Sequence, residues 1–179
     1  PFMAKMAVAG VLRGPTGYAP QSNHYHENWP ETYLLKALGI KVVVPSVAED
    51  WYGLFKSAVQ DPDLVAFLEE MSCYGWSGEV PEGEFYTPFK PAIRRKGKDI
   101  TLIAWGPRML KLAIDAADSL LKENISLEVI DLRVLNPLDT EFLFEHIKKT
   151  GRVIILYEDS KFMGFGAEIS AAIAENMAF

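Results

Sequence analysis

The sequence predicts an α/β fold made of two doubly wound, mostly parallel-sheet units. Three observations predict it. Short, largely apolar runs, such as "LVAFLEE", alternate with segments whose apolar residues recur at helical spacing. That is the pattern of parallel strands buried on both faces and covered by helices. Glycine and proline punctuate the junctions between these runs. Finally, the stretch from Met71 to Lys98 is rich in Gly, Pro and aromatic residues and lacks helical periodicity. It divides the chain into a first unit over residues 1–70, a linker over 71–98 and a second unit over 99–179.

The elements follow in order. "MAVAGVL" (Met6 to Leu12) reads as a buried strand broken at "RGPTG". "ETYLLKAL" is a short helix stopped by Gly39, and "KVVVP" (Lys41 to Pro45) is a β-branched strand ended by its proline. In "SVAE", Ser46 and Glu49 have the spacing of a capping box, and Trp51, Leu54, Phe55 and Ala58 then mark one buried helical face. "QDPD" ends that helix, and Leu64 to Glu70 is the next strand.

After the linker, "DITLIAW" is a strand and Pro107 suits the first position of the helix that follows. Leu110, Ala113, Ile114, Ala117 and Leu121 form its inward face. Ser126 to Leu132 is a further strand. Asp139 is placed to cap "TEFLFEHIKK", and Lys148 and Lys149 complement the negative end of its dipole. Arg152 to Glu158 is the last strand and "GAEISAAIAENM" the closing helix.

Composition narrows the function. With 49% hydrophobic and 23% charged residues the 179-residue chain is ordinary globular protein, long enough to bury a core. The net charge of −6 argues against general affinity for nucleic acid or an anionic membrane. The basic run "RRKGK" (Arg94 to Lys98) reads as a solvated turn. One cysteine, Cys73, permits no internal disulfide, favours a reducing compartment and reads as a small, partly buried residue. No apolar run approaches the roughly 20 residues that span a bilayer. The chain opens "PFMAKMAVAG" without an initiator methionine, which suggests a piece of something longer.

Two of the three histidines fall in "GPTGYAPQSNHYHENW", two residues apart. Three readings are open: a metal site, a catalytic loop or a polar connection. His24, His26 and Glu27 are capable ligands on an extended segment, but a structural zinc site usually draws four, and no cysteine or further histidine is near in sequence. His146 falls in the last turns of a helix, where a cation suits the dipole. The glycines of "MGFGAE" are explained by close helix packing better than by phosphate binding.

Eight stretches in order resemble one family: "RGPTG", "GIKVVVPS", "GLFKSAVQDPD", "GEVPEGE", "KGKDITLIAWG", "LEVIDLRVLNPLDTE", "KKTGRVIILYE" and "GFGAEISAAIAE". From about Val8 to Glu175 the chain is similar to the β subunit of the thiamine-diphosphate-dependent first component of 2-oxo-acid dehydrogenase complexes, of the pyruvate or branched-chain 2-oxoisovalerate type, in the transketolase-like superfamily. "ITLIAWG" and "GFGAEIS" lean toward the branched-chain enzyme.

The resemblance implies that the first unit is the second half of a pyrimidine-binding domain and the second is most of a transketolase C-terminal-like domain. It implies oxidative decarboxylation of a 2-oxo acid with reductive acylation of a lipoyl group. The cofactor would be thiamine diphosphate with magnesium, shared with an α subunit. Partners would be that α subunit, a second β subunit and a lipoyl-bearing acyltransferase core. The compartment would be the bacterial cytoplasm or the mitochondrial matrix.

Counting back fourteen residues from Ile40 places the family's loop histidine at His26. A side chain titrating near neutrality suits the proton transfers of this chemistry. The resemblance also implies a potassium ion held largely by backbone carbonyls, with Ala58, Asp61 and Asp63 on one side and Val8, Gly10 and Val11 on the other.

In the family, a glutamate that activates the cofactor lies upstream of the region matched by "RGPTG", and the chain continues past the region matched by its closing helix. The expectation is therefore the middle of a β subunit, inactive alone. The alternative is a catalytically inactive truncated paralogue acting as a binding or dimerisation module. Trp29, Trp51, Trp76 and Trp105 are candidates for core or interface.

Overall fold

A computed structural model describes residues 8–18, 29–37 and 39–177. The chain runs through β1 (Gly10–Thr16), α1 (Glu31–Leu34), β2 (Ile40–Val43), α2 (Ala48–Gln60) and β3 (Leu64–Glu70). A 3-10 turn at Met71–Cys73 follows. Then come β4 (Ala92–Arg95), β5 (Ile100–Ala104), α3 (Pro107–Leu121), β6 (Leu127–Asp131), β7 (Val134–Asn136), α4 (Thr140–Thr150), β8 (Val153–Leu156) and α5 (Phe165–Asn176).

The α/β prediction holds, with two four-stranded sheets in the orders β1-β3-β2-β7 and β4-β6-β5-β8. In the first, β1, β3 and β2 are parallel and β7 is antiparallel to β2. In the second, β6, β5 and β8 are parallel and β4 is antiparallel to β6.

Strand alternation sorts the core. Val43, Val65 and Phe67 face α2 through Leu54 and Ala58. Leu102, Ala104, Leu127 and Val129 face α3 through Leu110, Ala113 and Ala117. The opposite faces of both sheets meet in one cluster with α4 and α5: Val42, Val44, Ala66 and Leu68 from the first sheet, Ile103, Trp105, Ile130 and Leu132 from the second. The two sheets therefore share a core. Strand β7 ties them further. Three residues after β6 the chain has already entered the first sheet, turning at Arg133, whose φ is 41°.

Several local expectations are corrected. The first strand is Gly10–Thr16, running through "RGPT" instead of stopping there. Pro15 is tolerated because β1 lies at a sheet edge, where the missing N–H costs no ladder bond. Ser46 and Glu49 form no capping box. The N-cap of α2 is Val47, Ser46 Oγ instead donates to Asp131 Oδ1 at 2.7 Å, and Glu49 faces Arg94. The basic run opens inside β4, and Arg94 is drawn into a buried ion network. Leu121, expected on the inner face of α3, is exposed because it ends that helix. Pro107 does open α3, and Asp139 caps α4 by accepting the Phe142 N–H at 3.0 Å.

Candidate active site at the strand ends

The carboxyl ends of strands from both sheets converge on one small crevice, the place where ligands bind in open α/β sheets. Thr16 ends β1 and Glu70 ends β3. Val44 follows β2, Trp105 and Gly106 follow β5, and Glu158 lies just beyond β8. Together with Gly17, Trp29, Glu31 and Met109 these residues line a cavity of about 20 Å³.

Gly17 is required there. Its φ is 77°, and a Cβ would stand 3.0 Å from Glu70 Cγ and 3.3 Å from Glu158 Oε2. Both conditions exclude a larger residue without strain.

The chemistry of the crevice is acidic. Glu31 is 5% exposed and Glu70 4%. Thr16 Oγ1 donates to Glu31 Oε1 at 2.6 Å, while Glu31 Oε2 is buried with no hydrogen-bond partner among the described residues. Glu70 accepts from Ser72 Oγ at 2.9 Å and from the Arg108 backbone N–H at 3.3 Å, which sets it at the amino end of α3 where the dipole favours a negative charge.

Arg108 is the cation of this cluster. Its Nη1 meets Glu158 Oε1 at 2.8 Å, its Nε lies 3.6 Å from Glu70 Oε1, and its guanidinium covers the Tyr18 ring at 5.5 Å. Asp159 accepts from Thr32 Oγ1 at 3.0 Å. Burial pushes the Glu31 carboxyl up from 4.5 to about 7, opposed by the Thr16 hydroxyl and reinforced by Asp159 and Glu70. Burial also raises Glu70. A carboxyl poised near neutrality can both give and take a proton.

A second, larger concavity of about 520 Å³ opens beside the first. Trp51, Cys73, Tyr74, Trp76, Pro107 and Leu110 contribute its mainly apolar lining. Cys73 is buried there, and burial pushes its thiol up to about 11, so it is protonated at neutral pH and a poor nucleophile.

His24, His26 and Glu27 lie outside the described residues. The segment that carries them leaves the crevice at Gly17 and Tyr18 and rejoins it at Trp29, so its two described ends are anchored at this site.

Ala58, Asp61 and Asp63 are brought to the end of the sheet where β1 begins, since Gly10 and Val11 pair with Leu64 and Val65. There both aspartates turn to Lys41, whose Nζ lies 2.7 Å from Asp61 and 3.1 Å from Asp63. Val8 is exposed. Asp61 also closes α2 through its N–H to the Ala58 carbonyl.

His146 departs from its expected role at the helix end. It is buried, with Nδ1 2.9 Å from Glu128 Oε2 and its ring against Phe142. A carboxylate on β6, not the helix dipole, is its partner. Gly164 and Gly166 pack against the Tyr157 ring as close-packing glycines.

The crevice by itself does not enclose a thiamine cofactor. The crevice has room for about one water, far less than a pyrimidine ring. Among the described residues no group of three or more His, Cys, Asp or Glu could hold a metal ion. No described helix is long and apolar enough to cross a membrane.

Sequence reasoning missed Glu31, Glu70, Arg108 and Glu158. One signal was present: "LEE" puts two carboxylates at the carboxyl end of an otherwise apolar strand, where burial of one is costly and therefore informative.

Comparison with known proteins gives a consistent picture. A family model described as transketolase, C-terminal domain, matches residues 90–179. The mitochondrial 2-oxoisovalerate dehydrogenase subunit beta of Dictyostelium discoideum is 42% identical over 169 residues, which is 92% of this chain and 45% of that protein. The pyruvate dehydrogenase E1 component subunit beta of Rickettsia felis is 42% identical over 165 residues, covering 91% of this chain and 50% of its own length. A solved structure, a split gene transketolase described as an inactive beta4 tetramer, has a TM-score of 0.77 over 94% of this chain and 54% of its own. At 24% identity it shows a shared fold. The chain spans about half the length of the curated relatives it matches.

Proposed function

This chain belongs to the transketolase C-terminal domain family, and on that footing we propose that it serves as β-subunit sequence in a thiamine-diphosphate-dependent 2-oxo-acid dehydrogenase. The observation that carries the reading is the similarity to two such β subunits over more than nine-tenths of the chain. The convergence of strand ends from both sheets on one crevice, at the two ends of the histidine-bearing segment, is consistent with it.

The cofactor would be shared with an α subunit that supplies the magnesium and diphosphate contacts. It provides the electron sink for decarboxylation, and the protein provides position and proton transfer. His26 is the residue we assign to proton transfer during acyl transfer to the lipoyl arm. A second β subunit and a lipoyl-bearing acyltransferase core complete the assembly, in the bacterial cytoplasm or the mitochondrial matrix. The chain alone is expected not to turn over. A monovalent cation at Ala58, Asp61 and Asp63 would have to be held by backbone carbonyls, because the carboxylates there already face Lys41.

The two relatives stand at equal identity, so neither pyruvate nor 2-oxoisovalerate is preferred as substrate. The test is His26→Ala in the assembled complex. Loss of lipoyl acylation by at least about 100-fold is expected of a general acid; unchanged turnover would remove His26 from the mechanism.

One observation favours the second reading, a non-catalytic binding or dimerisation module. The apolar concavity is open, and Trp76 on its wall is 51% exposed, as a docking surface would be.

A further inference from the structure

We propose that Glu31 is a proton relay of this site, exchanging a proton between its unpartnered Oε2 and a single water seated in the crevice at the base of the segment that carries His26. The inference rests on the dehydrogenase reading only for where the proton is spent.

The geometry carries it. The Glu31 side chain is buried, and Thr16 fixes one oxygen at 2.6 Å, which leaves the other without a partner among the described residues on a side chain that lines the crevice. A cavity of about 20 Å³ holds one water and no larger ligand. Its walls offer that water several polar partners, with Thr16 on β1, Glu70 on β3 and Glu158 after β8.

The charged groups packed around Glu31 explain why its proton is exchangeable. Glu70, Glu158 and Asp159 are acidic, and Arg108 on α3 is committed to Glu158 and Glu70. Among the described residues no cation bonds to Glu31, and only the Thr16 hydroxyl and its own backbone N–H favour its carboxylate, against the larger effect of burial. Burial holds its pKa at about 7, within reach of solution pH on both sides. A carboxyl buried only for packing needs no free oxygen, and leaving one unsatisfied costs about 1–3 kcal/mol. Sites that do proton chemistry tolerate such costs.

The step is a proton transfer with no change of oxidation state. The Oε2–H bond breaks as the water takes the proton. The water passes one of its own to the acceptor in the reaction, and the Glu31 carboxylate is reprotonated from solvent by the same route. Glu31 acts through the water on groups beyond it, so it is a positioning and relay residue.

Two measurements test this. In the full chain, infrared difference spectra between about pH 5 and about pH 9 should show, beside the Asp131 carboxyl that titrates at about 6, a protonated-carboxyl band titrating near pH 7 that is lost in Glu31→Gln and kept, shifted, in Glu31→Asp. Absence of that band in the wild type overturns the proposal, whatever the activity. In the assembled complex, Glu31→Gln should lower kcat/KM about 10-fold or more and remove a limb near pH 7 from its pH profile, with partial rescue by Glu31→Asp. An unchanged limb and rate in Glu31→Gln also overturn it. A complex with no 2-oxo-acid turnover, in which the band still titrates, would instead dispose of the dehydrogenase reading and leave the proton exchange standing.

Discussion

Around Asp50 and Asp131 every buried carboxylate oxygen has a partner, whereas around Glu31 and Glu70 one does not. In the first cluster Arg133 Nη1 meets Asp50 Oδ1 at 2.5 Å, Arg94 contacts Asp50 Oδ2, Arg94 Nε meets Asp131 Oδ2 at 3.0 Å and Ser46 holds Asp131 Oδ1. Two guanidinium groups answer two fully buried aspartates, and the network joins α2 of the first sheet to β4 and β6 of the second. In the second cluster Arg108 pairs with Glu70 and Glu158, and Glu31 and Asp159 add further acidic charge there. Satisfaction on one side and an orphaned oxygen on the other separate a joint from a site. Buried polar groups are normally bonded, and the exception is where chemistry is to be looked for.

Breaking the joint gives the largest effect. Arg94→Ala leaves two buried aspartates short of their counter-charge, so unfolding stability should fall by about 3–5 kcal/mol in urea melts. A loss below about 1 kcal/mol would show that the network is not what fastens the two sheets.

The next effect sharpens the contrast through pH. Below about pH 4.5 Glu31 is protonated both folded and unfolded. Between 4.5 and about 7 only the folded chain keeps the proton, so stability falls as pH rises through that window and is level above it. The fall is about 3 kcal/mol at about 1.4 kcal/mol per pKa unit. Asp131, pushed by burial to about 6, falls in the same direction. The Glu31 share is therefore read as the difference between wild type and Glu31→Gln, measured as stability against pH. The variant should lose that share of the slope and be the more stable of the two at pH about 8. Parallel profiles would mean that Glu31 is ionised in the folded chain.

The smallest effect is a control outside both clusters. Asp139→Ala removes the N-cap of α4 and should cost about 1 kcal/mol, or about 2–4 °C in Tm, with no change in the pH profile near 7.

The same contrast explains what could be read from the sequence. Features set by local physics were legible. The strand Leu64–Glu70, the cap at Asp139 and the proline opening α3 each follow from a few adjacent residues. Features set by distant partners were not. Ser46 has the spacing of a capping residue but finds Asp131, 85 positions away. Strand β7 is three residues beside a proline, too short for any period to show, and exists because β2 offers it an edge. The burial of Glu31 could not be seen either, because a glutamate opening a short helix reads as solvated until the second sheet closes over it. For His26 the assignment comes from the family position, and the residue itself lies outside the described residues.

The most direct test of the central claim is to isolate the protein as its source cell makes it and assay the isolate for lipoyl acylation with pyruvate and with 2-oxoisovalerate. The account predicts turnover that depends on thiamine diphosphate and magnesium, with an α chain co-purifying. A homomeric isolate containing this chain, with no decarboxylation of either acid, would contradict it and leave the binding-module reading in its place.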